Sequence, residues 1–292
     1  MKYEFMFEQR EYPKQKWARI LGVSRSGYSV WKKTREKRAE REEAYAKLVA
    51  KVFEEGKGTY GANRICGIMR KCGHKASFYK VRNIMERQGL RSVHCKRRQR
   101  SLTNSRKSRG EGYPNLVRGM EITEPLQVLA SDISYIRTGA GFDYICQILD
   151  IKSGVVLAES MCEHMKAELV TKTVHKAIKR WRLPEDCIFH SDRGSQYTSE
   201  KVKNLLAANG IRQSFSRVGK PGDNAWSESF FANLKKETVH WMHFRTREEA
   251  RQRIFEHIEG FYNTRRVQKR LGYLSPMQWL KQWEQRRLVS VA

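Results

Sequence analysis

The apolar residues change their period near residue 125, and this most limits what the chain can become. Up to that point they recur at helical spacing. Beyond it, residues 126–137 and 142–151 are β-rich runs separated by the turn Thr138-Gly139-Ala140-Gly141, which predicts two paired strands. Residues 155–160 predict a third strand. Residues 166–182 predict an amphipathic helix with Leu169, Val170, Thr173, Val174, Ile178 and Trp181 at helical spacing. A short buried strand follows at 187–191, a helix at 200–209, a strand at 211–215, and long helices at 224–241 and 247–263. Three strands followed by alternating helices and single strands predict a mixed α/β domain.

The part before the change is helical and basic. Trp17, Ile20 and Leu21 share one face, Gly22 breaks the helix, and Ser24 caps the next, which carries Tyr28 and Trp31. This has the size of a helix-turn-helix. A charged connector helix is expected at 34–54. A second helical unit brings Ile65, Ile68 and Met69, a break at Gly73, and a helix capped by Ser77. Its residues Val81, Ile84 and Met85 point inward, and Tyr79, Lys80, Arg82 and Arg87 largely outward.

Charge sets the class of partner. The 292 residues hold 58 Lys and Arg against 31 Asp and Glu, a net of +27. Residues 1–113 alone hold 30 against 11. This excludes an ordinary acidic metabolic enzyme and favours a polyanion. Between Arg91 and Gly110 there are eight basic residues and no acid, in a Ser-, Asn- and Gly-bearing stretch that reads as a linker along a phosphate backbone. The DNA-facing candidates of this third are Arg25, Tyr28, Ser77, Tyr79, Lys80, Arg82, Arg97 and Arg98. No apolar run approaches the ~20 residues that span a bilayer. No secretion signal is visible, and none of the six cysteines forms a C-x-x-C pair, so reduced cysteines and a cytoplasmic location are expected.

Three acids stand out. Asp132 lies mid-strand among Leu129, Ala130, Ile133 and Tyr135, where a carboxylate is costly unless paired, metal-bound or on an exposed edge. Asp192 ends a buried strand, where open α/β sheets bind ligands and where turn-forming Asp is also common. Glu228 lies on the helix starting near Asn224, and an exposed helical Glu is commonplace. Asp150 is a rival carboxylate at another strand end.

The motifs decide among these readings. SDISYI (131–136), HSDRGSQYTS (190–199) and DNAWSESFFANLKKE (223–237) resemble the catalytic blocks of the DDE transposases of the insertion-sequence-three family, in the form of the separately encoded OrfB protein. The resemblance continues through FRTREEARQRIFEHIEGFYNTRR (244–266) and LGYLSP (271–276), and reaches LGVSRSGYSVW (21–31) and TYGANRI (59–65). It departs at Leu129, where Trp is frequent, at Ser131, where Thr is usual, and at Gln268, where many relatives carry His. The family implies a retroviral-integrase-like, RNase H-like mixed five-stranded sheet flanked by helices, preceded by helix-turn-helix units and followed by a helical tail. It implies that Asp132, Asp192 and Glu228 are the catalytic and metal-binding residues, and that Asp150 is a structural Asp before a turn.

The chemistry agrees with that implication. Strand cleavage and transfer need an activated oxygen nucleophile and neutralised phosphate charge, which two Mg²⁺ ions about 3.5–4 Å apart supply. Hard cations favour carboxylate oxygens, and Mn²⁺ is expected to substitute. Around the acids, Arg193, Gln196, Tyr197, Asn224, Lys235 and Lys236 are expected to meet DNA, Lys235 from the face of Glu228 because it follows seven residues later. The expected organisation is 1–54, a helix-turn-helix with its connector; 55–92, a second DNA-binding unit; 93–113, the linker; 114–243, the catalytic core; and 244–292, a helical extension. The expected partners are double-stranded DNA (element terminal repeats and target), an OrfA helix-turn-helix protein or a frameshifted fusion to it, and further copies of the chain assembled on DNA. The expected setting is the bacterial cytoplasm, at the nucleoid when DNA is bound. Two other readings remain: a DNA-binding regulator on an inactive integrase fold, and an RNase H-type nuclease.

Overall fold

Two compact units, Met1–Arg91 and Ser92–Ala292, make up the computed structural model, which describes residues 2–9, 11–95, 113–217 and 221–291. Arg97 and Arg98 lie outside the described residues.

The first unit is all helix: α1 (Lys2–Glu8), α2 (Lys14–Ile20), α3 (Arg25–Glu55), α4 (Ala62–Lys71) and α5 (Phe78–Arg87). Gly22 takes φ +61, and Ser24 Oγ accepts the Gly27 N–H at 3.0 Å, which starts α3 as the sequence suggests. Ser77 likewise caps α5, accepting from the Lys80 N–H at 3.3 Å. Met6, Ala18 and Tyr28 form a small core with Trp17 and Trp31, and the Tyr28 ring stacks on Trp31 at 5.9 Å. Tyr28 is thus interior rather than DNA-facing. Helix α3 is one continuous element of 31 residues rather than a recognition helix followed by a separate connector. Tyr28 near its start belongs to the first cluster, while Val49 and Val52 near its end are buried where α3 meets α4 and α5. No helix-breaking residue interrupts it after Gly27.

The second unit is built on a five-stranded sheet in the order β3-β2-β1-β4-β5. The strands are β1 (Val128–Thr138), β2 (Gly141–Asp150), β3 (Val156–Cys162), β4 (Ile188–Ser191) and β5 (Arg212–Phe215). β1, β2 and β3 form an antiparallel meander, while β4 and β5 run parallel to β1. Gly139 and Ala140 close the first hairpin, with Gly141 at φ +101. Period-two alternation sorts the strand residues between two cores. On one face Leu129, Ile148 and Phe189 pack with α6 (Ala167–Arg180) and α7 (Glu200–Ala208). On the other, Ile136, Ile145 and Leu149 pack with Phe230, Phe231 and Leu234 of α8 (Ala225–Glu237) and with Ile254 of α9 (Arg247–His257). A π-helical turn, Ile258–Tyr262, prolongs α9, and α10 (Pro276–Val291) is the expected helical tail. The mixed five-stranded sheet flanked by helices is the expected fold.

Candidate active site

Strand register brings the two aspartates together. Ala130 of β1 lies beside His190 of the parallel β4. The pairing ends there, and two residues further along each chain stand Asp132, still within β1, and Asp192, just past the end of β4. Asp132 accepts the Ile133 N–H at 2.8 Å and faces Gln147 across the β1–β2 pair. β4 ends at Ser191, and Asp192 opens a turn in which its Oδ1 accepts the Gly194 N–H at 2.9 Å. A Cβ on Gly194 would come within 2.8 Å of Gln196 Oε1 and 3.1 Å of Asp192 Oδ1, so a larger residue there would displace the Gln196 side chain.

Glu228 arrives from α8. A 3₁₀ turn, Pro221–Asn224, leads into the helix, and Asn224 Nδ2 donates to the Ser131 carbonyl at 3.0 Å, one residue from Asp132. One turn on, Glu228 stands exposed in the first turn of α8. Electrostatics reports the convergence. Burial first, then the charges of Asp192 and Glu228, push the Asp132 carboxyl up to about 7, against the Ile133 hydrogen bond and the Lys235 ammonium. Crowding by protein also raises Asp192, which the Gly194 N–H opposes, and raises Glu228. Among the described residues, no three His, Cys, Asp or Glu side chains are gathered closely enough to share a metal ion. The three acids match a hard cation in donor type, but as they stand they are not gathered into one ligand set.

Asp150 is occupied elsewhere. Its carboxylate accepts the N–H groups of Leu126, Lys152 and Ser153 and the Ser153 hydroxyl, and so ties down the β2–β3 turn.

The flanking candidates divide. Lys235 lies over the Tyr135 ring, 4.7 Å from its centroid; burial lowers its ammonium and Asp132 draws it back up. It shares a field with Asp132. Tyr197 is interior: only 1% exposed, its hydroxyl lies 2.9 Å from Ser131 Oγ. Since Ser131 donates to the Gln147 carbonyl, the Tyr197 O–H donates to Ser131. Asn224 is 4% exposed and works as the strut to β1 just described. Arg193 donates to the Ser216 and Tyr113 carbonyls, and Gln196 to the Met165 carbonyl, so both brace the loop. Tyr197 and Asn224 are corrections to the sequence reading; apolar burial and a backbone acceptor claim them. In the first unit Arg25, Tyr79, Lys80 and Arg82 are exposed; Lys80 sits 4.2 Å from the Tyr45 ring centre and Arg82 bonds Glu86.

Two polar assemblies had no signal in the sequence. His190, fully buried, bonds Ser214, Ser216 and the Asp223 carbonyl, and burial pushes its imidazole below the ordinary value. At the far end of α8, Glu237 has no exposed side-chain surface and is gripped by Arg266 through both oxygens, by His94 at 2.8 Å and by His257 at 3.7 Å.

A family model described as Integrase core domain matches residues 122–221, a second Integrase core domain model matches 228–283, and an HTH-like domain model matches 40–99. The transposase for insertion sequence element IS904 of Lactococcus lactis subsp. lactis (strain IL1403) is 35% identical over 240 residues, 82% of this chain and 94% of that protein. Transposase InsF for insertion sequence IS3A of Escherichia coli (strain K12) is 33% identical over 287 residues, 96% of this chain and 98% of that protein. Among solved structures, the catalytic core domain of BIV integrase matches over 55% of this chain and 98% of its own, at 16% identity and a TM-score of 0.42. With near-complete coverage of such relatives and a matching integrase core, the chain belongs to the transposases of the insertion-sequence-three family.

Proposed function

We propose that this transposase cleaves and rejoins DNA strands at the ends of its insertion element, with Asp132, Asp192 and Glu228 holding two Mg²⁺ ions for which Mn²⁺ substitutes. The observation that carries the reading is the meeting of the β1–β4 pair just before Asp132 and Asp192 with the entry of Glu228's helix, tied to Ser131 by Asn224; burial and the charges of Asp192 and Glu228 push Asp132 up to about 7 there. Unneutralised acids drawn together at a strand end invite a divalent cation. When bound, the metal pair supplies activation of the attacking oxygen and neutralisation of phosphate charge. The chain's own part is positional: β1 and β4 run parallel as far as Ala130 and His190, two residues before the aspartates, and Asn224 ties the entry of α8 to β1. The protein acts in the cytoplasm on double-stranded terminal repeats and target DNA, with an OrfA-type partner or fusion, as an oligomer assembled on DNA. Among the described residues no helix is long and apolar enough to cross a membrane.

The test is cleavage of the element's own end DNA in Mg²⁺, with and without the helix-turn-helix partner. End-specific, metal-dependent nicking is expected. Binding without nicking under both conditions would leave the regulator reading, and nicking indifferent to end sequence would leave the nuclease.

Lys235 holds a phosphate near the scissile one. Lys235→Ala is expected to slow strand transfer by about 1–3 kcal/mol, the scale of a charge-assisted contact. Lys235→Arg keeps part of the rate and Lys236→Ala loses less. Single-turnover strand transfer checks this, and equal defects at 235 and 236 would reduce the helix to a diffuse positive face.

The basic first third grips the backbone. Replacing Arg25, Lys80, Arg82 and Arg97 together by Ala is expected to flatten the slope of log K against log salt by roughly 3–4 units, at about 0.9 per phosphate contact. Duplex binding measured across a salt series checks it, and an unchanged slope would give these residues another task.

A further inference from the structure

We propose that His190 is a positioning residue whose ring fixes the distance from Glu228 to the two aspartates. The proposal rests on the reading of Glu228 as the third acid of the site. His190 stands two residues before Asp192 and lies between Ala130 of β1 and Ser214 of β5, the partners it pairs with on either side. Its side chain leaves the sheet to reach the turn that starts α8: Nε2 is 3.0 Å from the Asp223 carbonyl oxygen.

The ring's polarity is dictated by its neighbours. A carbonyl oxygen only accepts, so Nε2 carries the hydrogen and donates. Ser216 Oγ, 3.2 Å from the same nitrogen, shares that hydrogen. On the other side Ser214 Oγ lies 2.9 Å from Nδ1. That hydroxyl already accepts the Leu116 N–H at 2.9 Å, and its own hydrogen is directed to Nδ1. The result is a directed chain from the Leu116 amide through Ser214 and His190 to the Asp223 carbonyl.

This chain meets the other ties on the same turn. The Asp223 carboxylate accepts from the Arg217 backbone and guanidinium and from Asn115. Asn224 holds Ser131. Those ties fix the turn to its own loop through Arg217, to the segment before β1 through Asn115, and to β1 through Ser131. His190 fixes it to β4, the strand that delivers Asp192. Further along α8, Phe230, Phe231 and Leu234 are anchored in the core independently. Loss of the His190 bond therefore removes the tie of this turn to β4 and loosens the first turn of α8, with Glu228 on it, relative to Asp192, while the rest of the helix stays docked.

The experiment compares His190→Gln, whose amide nitrogen reaches about as far as Nε2, with His190→Asn, whose amide reaches only as far as Nδ1. Amide hydrogen exchange of residues 221–228 in the metal-free full chain is read beside metal-dependent nicking of duplex carrying the element ends. His190→Asn is expected to speed exchange in 221–228 and to raise the Mg²⁺ concentration for half-maximal nicking by roughly 10–100-fold, the range for groups that orient metal ligands. Duplex affinity stays near wild type, and His190→Gln restores both readouts. Equal defects in the Gln and Asn variants, or wild-type behaviour of the Asn variant, would overturn the proposal. If His190→Asn does not fold, Ser214→Ala decides: it leaves Nδ1 without its donor, and an unchanged exchange rate and Mg²⁺ requirement would reject the directed chain. Glu228→Gln separates the two levels. Full activity of that variant removes the reading of Glu228, whereas its inactivity beside an unaffected His190→Asn variant removes only the role of His190.

Discussion

Asp132→Asn, Asp192→Asn and Glu228→Gln are each expected to lower end cleavage and strand transfer by roughly 10⁴-fold, the scale on which one member of a catalytic unit is lost, with duplex binding nearly intact. Each exchange removes a charged oxygen and almost no volume. Asp132→Asn carries a second signature. Because the folded protein raises this carboxyl to about 7, its contribution favours folding below about pH 4, where it is protonated in both states, and is lost as the pH rises through 7. Above that, the ionised group costs the metal-free protein up to about 4 kcal/mol. The inactive Asp132→Asn variant is therefore expected to unfold at a higher temperature than wild type at pH 8, and Mg²⁺ to narrow the gap by binding the wild type. Thermal unfolding at pH 5 and 8, with and without Mg²⁺, checks both signs. A variant less stable at pH 8 would mean that Asp132 is compensated by its protein neighbours. Asp150→Asn keeps its activity in whatever fraction folds, since its oxygens serve a turn.

The second large effect is on stability. Burial works to raise Glu237, but the hydrogen bonds from His94 and Arg266 prevail and hold its carboxyl down at about 2. A carboxyl lowered by folding stabilises at pH values above its unfolded range and loses that contribution as pH falls from about 4.5 to about 2. Glu237→Ala strips Arg266, itself 4% exposed on its side chain, of a two-pronged partner, and is expected to cost about 3–5 kcal/mol. Glu237→Gln is expected to lose the acid-dependent part of the stability, so that its urea midpoint falls less than wild type between pH 6 and pH 3. A parallel pH dependence in the two proteins would assign the acid limb to other carboxylates.

What could be read from the sequence, and what could not, follows from the range of the interactions. The three acids could be singled out because each sits in a short motif, and the strands were legible because their side chains alternate over several residues. Tyr197 was misread because its neighbours Arg193, Gly194 and Gln196 are polar, while the contacts that bury it come from Ser131 and Cys146, far away in sequence. Tyr28 was misread for a similar reason: its burial depends on α1, whose alternating Tyr3, Phe5 and Phe7 give no helical signal. The grip on Glu237 draws His94 from 143 positions upstream and Arg266 from 29 downstream, and no local pattern marks such a meeting. His190 was visible as a letter in a motif, but its hydrogen-bond partners lie on β5 and on the turn into α8.

Helix α3 makes the first unit a ruler. Thirty-one residues at 1.5 Å each extend about 46 Å, longer than the roughly 34–36 Å of one turn of B-DNA. Arg25 starts the rod, and α5 meets it at Tyr45, whose ring Lys80 approaches, a rise of about 30 Å at 1.5 Å per residue, so the two are held at a set angle about one axis. A single residue inserted in the exposed middle of α3 would twist one end by about 100° against the other, whereas seven would nearly restore the phase. Tolerance of length changes there is periodic rather than graded, because the spacing and phase of what the two halves carry are properties of the rod itself.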